Sequence, residues 1–311
     1  MNAAPDHILL TDSGTQAIDL LCRFLIEPGD TVLVDDPCYF NFLALLRAHR
    51  ARVASVPYTP GGPDLALMAN ALAEHRPRLY ITNSALHNPT GATLSPLAAH
   101  RVLKLAEAHD AIVIEDDIFS DFEPSPSTRL AAFDGLERVI QIGSFSKTLS
   151  ASARCGYIAA RPDWLDALAD LRIATAFSGC ALSQSVVLTL LENGGYRRHV
   201  ETLRQRLAEA TAPAVMRLER LGITPWLAPR GGMFTWCRLP DGLDGALMAR
   251  LALSRGMVLA PGNVFSQSQN AGGFMRFNVS QMADPRVFEL LDRIMGQAAT
   301  MADGRCADTA A

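Results

Sequence analysis

A lysine set among small residues is the first place where this sequence could do covalent chemistry. Gly-Ser-Phe-Ser-Lys-Thr-Leu (143–149) follows the apolar run 139–142, so Lys147 falls just past the carboxyl end of a predicted strand. Ligands of open α/β sheets gather at such ends. Ser144 and Ser146 leave room around the amine, and an amine so placed can form an imine with an aldehyde cofactor. The alternative is an ordinary lysine of a surface loop. Seven residues later Arg154 precedes another apolar run. Its guanidinium is permanently charged and its fork suits a phosphate; it is either a phosphate clamp partnered with the lysine or a surface arginine.

Four further clusters could share that chemistry. Asp-Ser-Gly-Thr-Gln-Ala (12–17) joins a predicted strand to a predicted helix. The free N–H groups and dipole of a helix start attract anions, and Ser13 and Thr15 add hydroxyls; plain helix capping by Ser13 would use the same atoms. Glu-Asp-Asp (115–117) ends an apolar run. A carboxylate there could keep a cofactor's pyridine nitrogen protonated and make the ring an electron sink, or the three could be a solvated acidic cluster. In His-Asn-Pro-Thr-Gly (87–91), Pro89 and Gly91 shape a turn and Asn88 can donate to a ring oxygen. Tyr39 could lay its face on a flat cofactor or pack in the core. Arg276 lies inside the apolar run Phe-Met-Arg-Phe-Asn-Val-Ser (274–280). A charge there needs a partner, either a substrate carboxylate held bidentately or an internal acid.

The elements that must position these groups alternate along the chain. Strands are predicted at 8–11, 31–34, 53–56, 79–82, 111–115, 139–142 and 156–160. Helices at 15–25, from about 39, 65–74 and 97–109 fall among them, a rhythm that implies a largely parallel sheet covered by helices. Past about 183 the pattern changes to long helices over 183–193 and 196–221. Shorter strands follow near 224–227, 234–238, 258–259 and 275–278, with helices near 244–255 and 285–298. The reading is an α/β protein with a large domain over 1–190, a small α+β domain over 191–300 and a frayed tail over 301–311.

Composition narrows the function classes. With 19% charged residues, 49% apolar residues and a net charge of −4 over 311 residues, the chain is globular and carries no basic footprint for nucleic acid or anionic membrane. No apolar run is long enough to span a bilayer, and the start lacks a secretory pattern. The six cysteines, at 22, 38, 155, 180, 237 and 306, form no Cys-x-x-Cys pair. Structural zinc and a disulfide framework are not expected, and a reducing cytoplasm is.

Taken in order, the clusters resemble a known series. Ser-Gly-Thr-Gln, Pro-Cys-Tyr, His-Asn-Pro-Thr-Gly, Asp-Asp-Ile-Phe, Ser-Phe-Ser-Lys, Arg154 and Arg276-Phe-Asn resemble class I/II aminotransferases of fold type I over about residues 5–297. Gly-Ser-Phe-Ser-Lys-Thr-Leu-Ser followed by Arg-Cys-Gly-Tyr is similar to the aminotransferase-like domain of MocR-type regulators of the GntR family. The resemblance implies a seven-stranded, mostly parallel PLP-transferase sheet and pyridoxal 5'-phosphate (PLP) as cofactor. Lys147 would be the Schiff-base lysine that also moves the Cα proton. Asp116 would pair with the pyridine nitrogen, Asn88 with the ring hydroxyl oxygen, and Tyr39 would stack on the ring. Gly14, Thr15, Gln16, Ser144 and Arg154 would surround the phosphate, Arg276 would take the α-carboxylate, and Gly231-Gly232 and Pro261-Gly262 would shape the substrate side.

Phe119 stands where many relatives carry a tyrosine that bonds the ring oxygen, which removes one donor. Relatives also carry an N-terminal arm before the phosphate motif, so a more open pocket is expected here. The implied reaction is amino-group transfer between an α-amino acid and a 2-oxo acid by a cytoplasmic homodimer, without metal, membrane or nucleic acid. The alternatives are the amino-acid-sensing half of a MocR-type transcription factor without its DNA-binding half, and another PLP reaction such as β-elimination or racemisation.

Overall fold

A β-strand points successive side chains to opposite faces, and the apolar runs of this chain use both. In the computed structural model, which describes residues 3–308 and side chains through Met301, the first part of the chain is β1 (Ile8–Thr11), α1 (Gly14–Leu25), β2 (Thr31–Asp36), α2 (Phe40–Ala48), β3 (Arg52–Thr59), β4 (Gly62–Pro63), α3 (Leu65–His75), β5 (Leu79–Thr82), α4 (Pro96–Ala108), β6 (Ile112–Asp116), α5 (Leu130–Asp134), β7 (Val139–Ser144), β8 (Gly156–Ala159) and α6 (Pro162–Ala176). The sheet order is β1-β8-β7-β6-β5-β2-β3-β4. Seven strands form the sheet proper, as expected, and the two-residue β4 is a hairpin return against β3.

Strands β7, β6, β5, β2 and β3 are mutually parallel. β8 runs against β7, and β1 against β8. Two reversals restore the direction, so β1 points the same way as β7 and delivers the start of α1 to the same sheet edge. Helices cover both faces. Val32, Val34, Leu79, Ile81, Ile114, Ile140 and Ile142 meet α1, α2 and α6 on one side, while the intervening Leu33, Tyr80, Val113 and Val139 meet α3, α4 and α5 on the other. Burial on both faces is why these strands read as continuous apolar runs rather than alternating ones.

The second part contains α7 (Ala181–Glu192), α8 (Gly195–Arg220), β9 (Thr224–Pro225), β10 (Phe234–Arg238), α9 (Gly245–Leu253), β11 (Ala260–Pro261), β12 (Phe274–Asn278) and α10 (Pro285–Asp308). Its antiparallel sheet, β11-β12-β10-β9, has its own core, in which Met275 and Phe277 of β12 pack with Leu218 of α8, Met248 of α9 and Leu291 of α10. The alternation of β12 therefore turns Arg276 to the opposite face.

Three expectations need correction. The helix α6 went unread because only Leu165 and Leu168 of its residues are buried, so its apolar periodicity is too weak to see. The strand expected at 258–259 forms two residues later, at Ala260–Pro261, and Val258 is 84% exposed. The last helix continues to Asp308, past the expected start of the tail at 301; residues 309–311 lie outside the described residues. Among the described cysteines all five are free.

Candidate active site

Four adjacent parallel strands, at their ends or in the segments that follow them, each bring a residue to one cavity. Tyr39 follows β2, Asn88 lies in the loop after β5, Asp116 closes β6, and Lys147 follows β7. From the second sheet, β12 contributes Arg276. The cavity encloses about 290 Å³ and is also lined by Gly14, Thr15, Phe119, Ser146 and Arg154. This is the carboxyl edge of an open α/β sheet, where backbone groups are free to meet a ligand.

Each side chain is held by local causes. Lys147 sits in a turn closed by the Leu149 N–H donating to the Phe145 carbonyl (2.8 Å). The next residue, Thr148, is gripped from α8: Tyr196 Oη donates to its Oγ1 (3.0 Å), and His199 Nε2 lies 2.7 Å from its carbonyl oxygen. Loss of hydration in the cavity and the Arg276 charge lower the lysine pKa, against an opposing pull from Asp116. A lowered pKa leaves more free amine at neutral pH, the form that attacks a carbonyl.

The acidic cluster 115–117 divides into three jobs. Glu115 turns away and accepts from the Leu130 and Ala131 N–H groups (2.8 and 2.9 Å) at the start of α5. Asp117 lies 2.5 Å from Arg129 Nε. Only Asp116 faces the cavity, accepting from the Ile118 N–H (3.1 Å). Burial pushes its carboxyl up to about 6, moderated by that N–H, by Asn83 and by Lys147. A carboxylate so deprived of water gains most from a cationic partner placed in the cavity.

Asn88 is fixed through the residue before it. His87, fully buried, has Nε2 3.2 Å from Asp35 Oδ2 and Nδ1 2.8 Å from Thr90 Oγ1, and stacks on Tyr58 at 3.9 Å. Asp35 also accepts from Tyr80 Oη (2.5 Å) and Thr82 Oγ1 (2.7 Å). This network under the sheet edge was missed in the sequence. The pairing of Asp35 with His87 spans 52 residues, and only the in-register neighbours β2 and β5 bring the two together.

Arg276 lies over Phe234 (3.8 Å) and Phe265 (4.8 Å) and donates through Nη1 to Asn88 Oδ1 (2.7 Å). Burial lowers its pKa to about 10, against a small opposing effect of Tyr39. No acid pairs with it among the described residues, so the internal ion pair that competed as an explanation is not formed. Arg154 has a left-handed backbone (φ 43°) and likewise no acidic partner among the described residues. Gly156 beside it passes so close to Ser13 that a Cβ would lie 2.8 Å from the Ser13 carbonyl carbon. The glycine thereby brings Arg154 up against the start of α1, where Gly14 and Thr15 line the cavity.

Two expected phosphate residues stand back from the cavity lining. The Gln16 side chain folds onto Asp12, accepting from its N–H (2.6 Å) and donating to Oδ2 (3.3 Å). Ser144 bonds the Cys155 carbonyl (3.2 Å) and pairs with Ser146 Oγ (2.6 Å), and Ser146 is the hydroxyl that lines the cavity. Both therefore brace the loops that line it. Phe119 does face the cavity, edge-on to Phe234 at 5.7 Å. Gly231 and Gly232 instead line a separate groove of about 620 Å³ along α8.

Residues 2–294 match the family of aminotransferases of class I and II. The chain belongs to that family. Its cofactor is pyridoxal 5'-phosphate. The chain is 28% identical to aromatic-amino-acid aminotransferase 1 of Thermococcus litoralis over 92% of its own length and 71% of that protein's. It is also 28% identical to the HTH-type transcriptional regulator YdfD of Bacillus subtilis over 89% of its length, and there it spans only 58% of the regulator. The solved structure of LysN, an α-aminoadipate aminotransferase of Thermus thermophilus complexed with N-(5'-phosphopyridoxyl)-L-leucine, superposes with a TM-score of 0.86 at 27% identity, over 96% of this chain and 78% of that one.

Among the described residues no helix is long and apolar enough to cross a membrane, and no group of three or more His, Cys, Asp or Glu could hold a metal ion.

Proposed function

We propose that the protein is a PLP-dependent aminotransferase that moves an amino group between an α-amino acid and a 2-oxo acid. One observation carries this reading: a single cavity joins a lysine amine of lowered pKa, a buried carboxylate lacking a cation and an arginine lacking a carboxylate. The cofactor, when bound, supplies an aldehyde that links to amines and a protonated ring that withdraws electrons from a substrate's Cα.

The chain's own residues then have defined work. Arg154, with the N–H groups and hydroxyl of Gly14 and Thr15 at the start of α1, binds the phosphate. Asp116 holds the proton on the ring nitrogen. Asn88 keeps one hydrogen bond for the ring oxygen and one for Arg276. Tyr39 covers a ring face. Arg276 orients the substrate by its carboxylate. Lys147 Nζ would hold the cofactor's aldehyde carbon and, freed from it, would serve as the base that takes the substrate's Cα proton and the acid that delivers it to that aldehyde carbon, two bonds away across the nitrogen.

The same proposal includes a cytoplasmic homodimer and a lobe boundary near residue 190. The dimer is supported by exposed apolar side chains on α6 and α7, among them Ile173, Leu182, Val186 and Leu188, because association is the usual way for exposed apolar side chains in number to leave water. The boundary is supported by the separate cores of the two sheets. The match to a transcriptional regulator favours a second reading, an amino-acid-sensing domain that binds cofactor and ligand with little turnover.

Mixing the PLP-loaded protein with a panel of L-amino acids separates the two. The enzyme reading expects the cofactor absorbance to convert to that of its aminated form, with one equivalent of oxo acid in the mass spectrum. Amino acids that bind without conversion would replace the enzyme reading by the sensor.

A further inference from the structure

The surroundings of Arg276 carry information about the substrate's side chain. Three cations line the cavity: Lys147, Arg154 and Arg276. On the transaminase reading, on which this inference rests, the first two serve the cofactor and the third takes the α-carboxylate. No cation is left among the described lining residues for a second carboxylate. Arg276 also lines a second cavity of about 320 Å³, whose described walls are mostly apolar, with Asn278 and Gln281 polar and Arg276 the one charged residue. In the first cavity, the lining not assigned to the cofactor includes the apolar rings of Phe40 and Phe234, and these are the surface the far end of a bound amino acid would meet.

The rings nearest that seat form a continuous set. Phe234 and Phe265 lie beneath the guanidinium. Phe40, the first residue of α2, stands edge-on to Tyr39 at 4.9 Å and to Phe265 at 5.7 Å. It lines the cavity and remains 41% exposed, so its ring is free to gain contact area. An apolar side chain placed against Phe40 and Phe234 is stabilised by burial, and an aromatic one gains edge-to-face contacts as well. A second carboxylate in the same position would lose water and find no partner.

We propose that the site takes amino acids with apolar, above all aromatic, side chains and discriminates against dicarboxylic ones, and that Phe40 sets this preference. Calorimetric titration of the PLP-loaded protein with carboxylates that lack an amine tests this without turnover; the probes are 3-phenylpropionate, propionate and glutarate. Burial of a phenyl group predicts that 3-phenylpropionate binds at least about tenfold more tightly than either of the others. Phe40→Ala should shrink that margin below about threefold, and Phe40→Leu, which keeps apolar area, should retain more of it.

Glutarate binding as tightly as 3-phenylpropionate would overturn the proposal, as would a full margin in Phe40→Ala. In both cases measurable propionate binding would leave the carboxylate seat, and with it the transaminase reading, in place. Absence of binding by all three probes would remove Arg276 as that seat and overturn both.

Discussion

The two walls of the cavity are built in different ways. On the sheet side, Asp116 and Asn88 are held by buried hydrogen bonds: Asp116 by the Ile118 N–H, and the Asn88 loop by the fully buried chain of Asp35, His87 and Thr90. On the side of the small sheet, Arg276 rests on the faces of Phe234 and Phe265 and makes one hydrogen bond, to Asn88. Hydrogen bonds fix a group in direction as well as distance. Aromatic faces orient a cation while leaving its N–H groups free for a visitor. On the proposed function, one wall would serve a resident cofactor in a single geometry and the other ligands that come and go.

Changes on the rigid wall should cost most. Asp116→Ala should lower the rate of amino-group uptake by at least about a hundredfold, the scale of losing one preorganised electrostatic contact, as read by stopped-flow absorbance. Stability should move the other way without cofactor. Because burial raises the Asp116 carboxyl to about 6, its contribution is fully present below about pH 4 and is lost as pH rises through about 6. Above that, cofactor-free Asp116→Asn should be more stable than the parent by up to about 3 kcal/mol, and bound PLP should reverse the order. Thermal melts at pH 5 and pH 8 check the sign; parallel curves would show that Asp116 is hydrated. Asp35→Ala strands His87, Tyr80 and Thr82 and should cost about 3 kcal/mol in urea unfolding. A loss below about 1 kcal/mol would mean that the network does not brace the Asn88 loop.

Changes on the adaptable wall should be gentler and should fall on ligands alone. Arg276→Ala should weaken amino-acid binding by about tenfold, the value of a charge-assisted hydrogen bond, with PLP content unchanged. Equal loss of PLP would erase the distinction between the walls. The smallest effect is expected of Phe119→Tyr. A new donor near the ring oxygen should lower the pH midpoint of the bound cofactor's colour change, and a superimposable titration would place the new hydroxyl out of reach.

The rigid wall was also the more legible one. Its residues sit at the ends of short strands whose apolar runs are buried on both faces, so motif and element coincide at Lys147, Asp116 and Asn88. What lies behind them was hidden. Asp35 and His87 meet only through strand register, and Gln16 and Ser144 turn out to brace loops because their hydrogen bonds are made with near neighbours, Asp12, Ser146 and Cys155, a choice that residue type does not reveal. On the other wall Arg276 stood out as a charge within an apolar strand, but Phe40, Phe234 and Phe265 gather round it from three distant segments. Nothing in their local pattern separates such rings from core aromatics. The helix α6 escaped for a related reason, since a helix with two buried residues carries almost no periodic signal.

On the proposed function the sheet edge places one lysine amine, that of Lys147, at the cofactor's aldehyde. Borohydride reduction of the PLP-loaded protein, followed by peptide mass mapping, tests it directly, because the sequence holds only one other lysine, Lys104. Lys104 lies on α4, ion-paired with Glu107 at 2.8 Å. The reduced adduct should map to Lys147 and disappear in Lys147→Ala, while that variant still retains PLP through its phosphate contacts. An adduct on Lys104, or a Lys147→Ala protein that keeps its covalent cofactor, would contradict the assignment of the site.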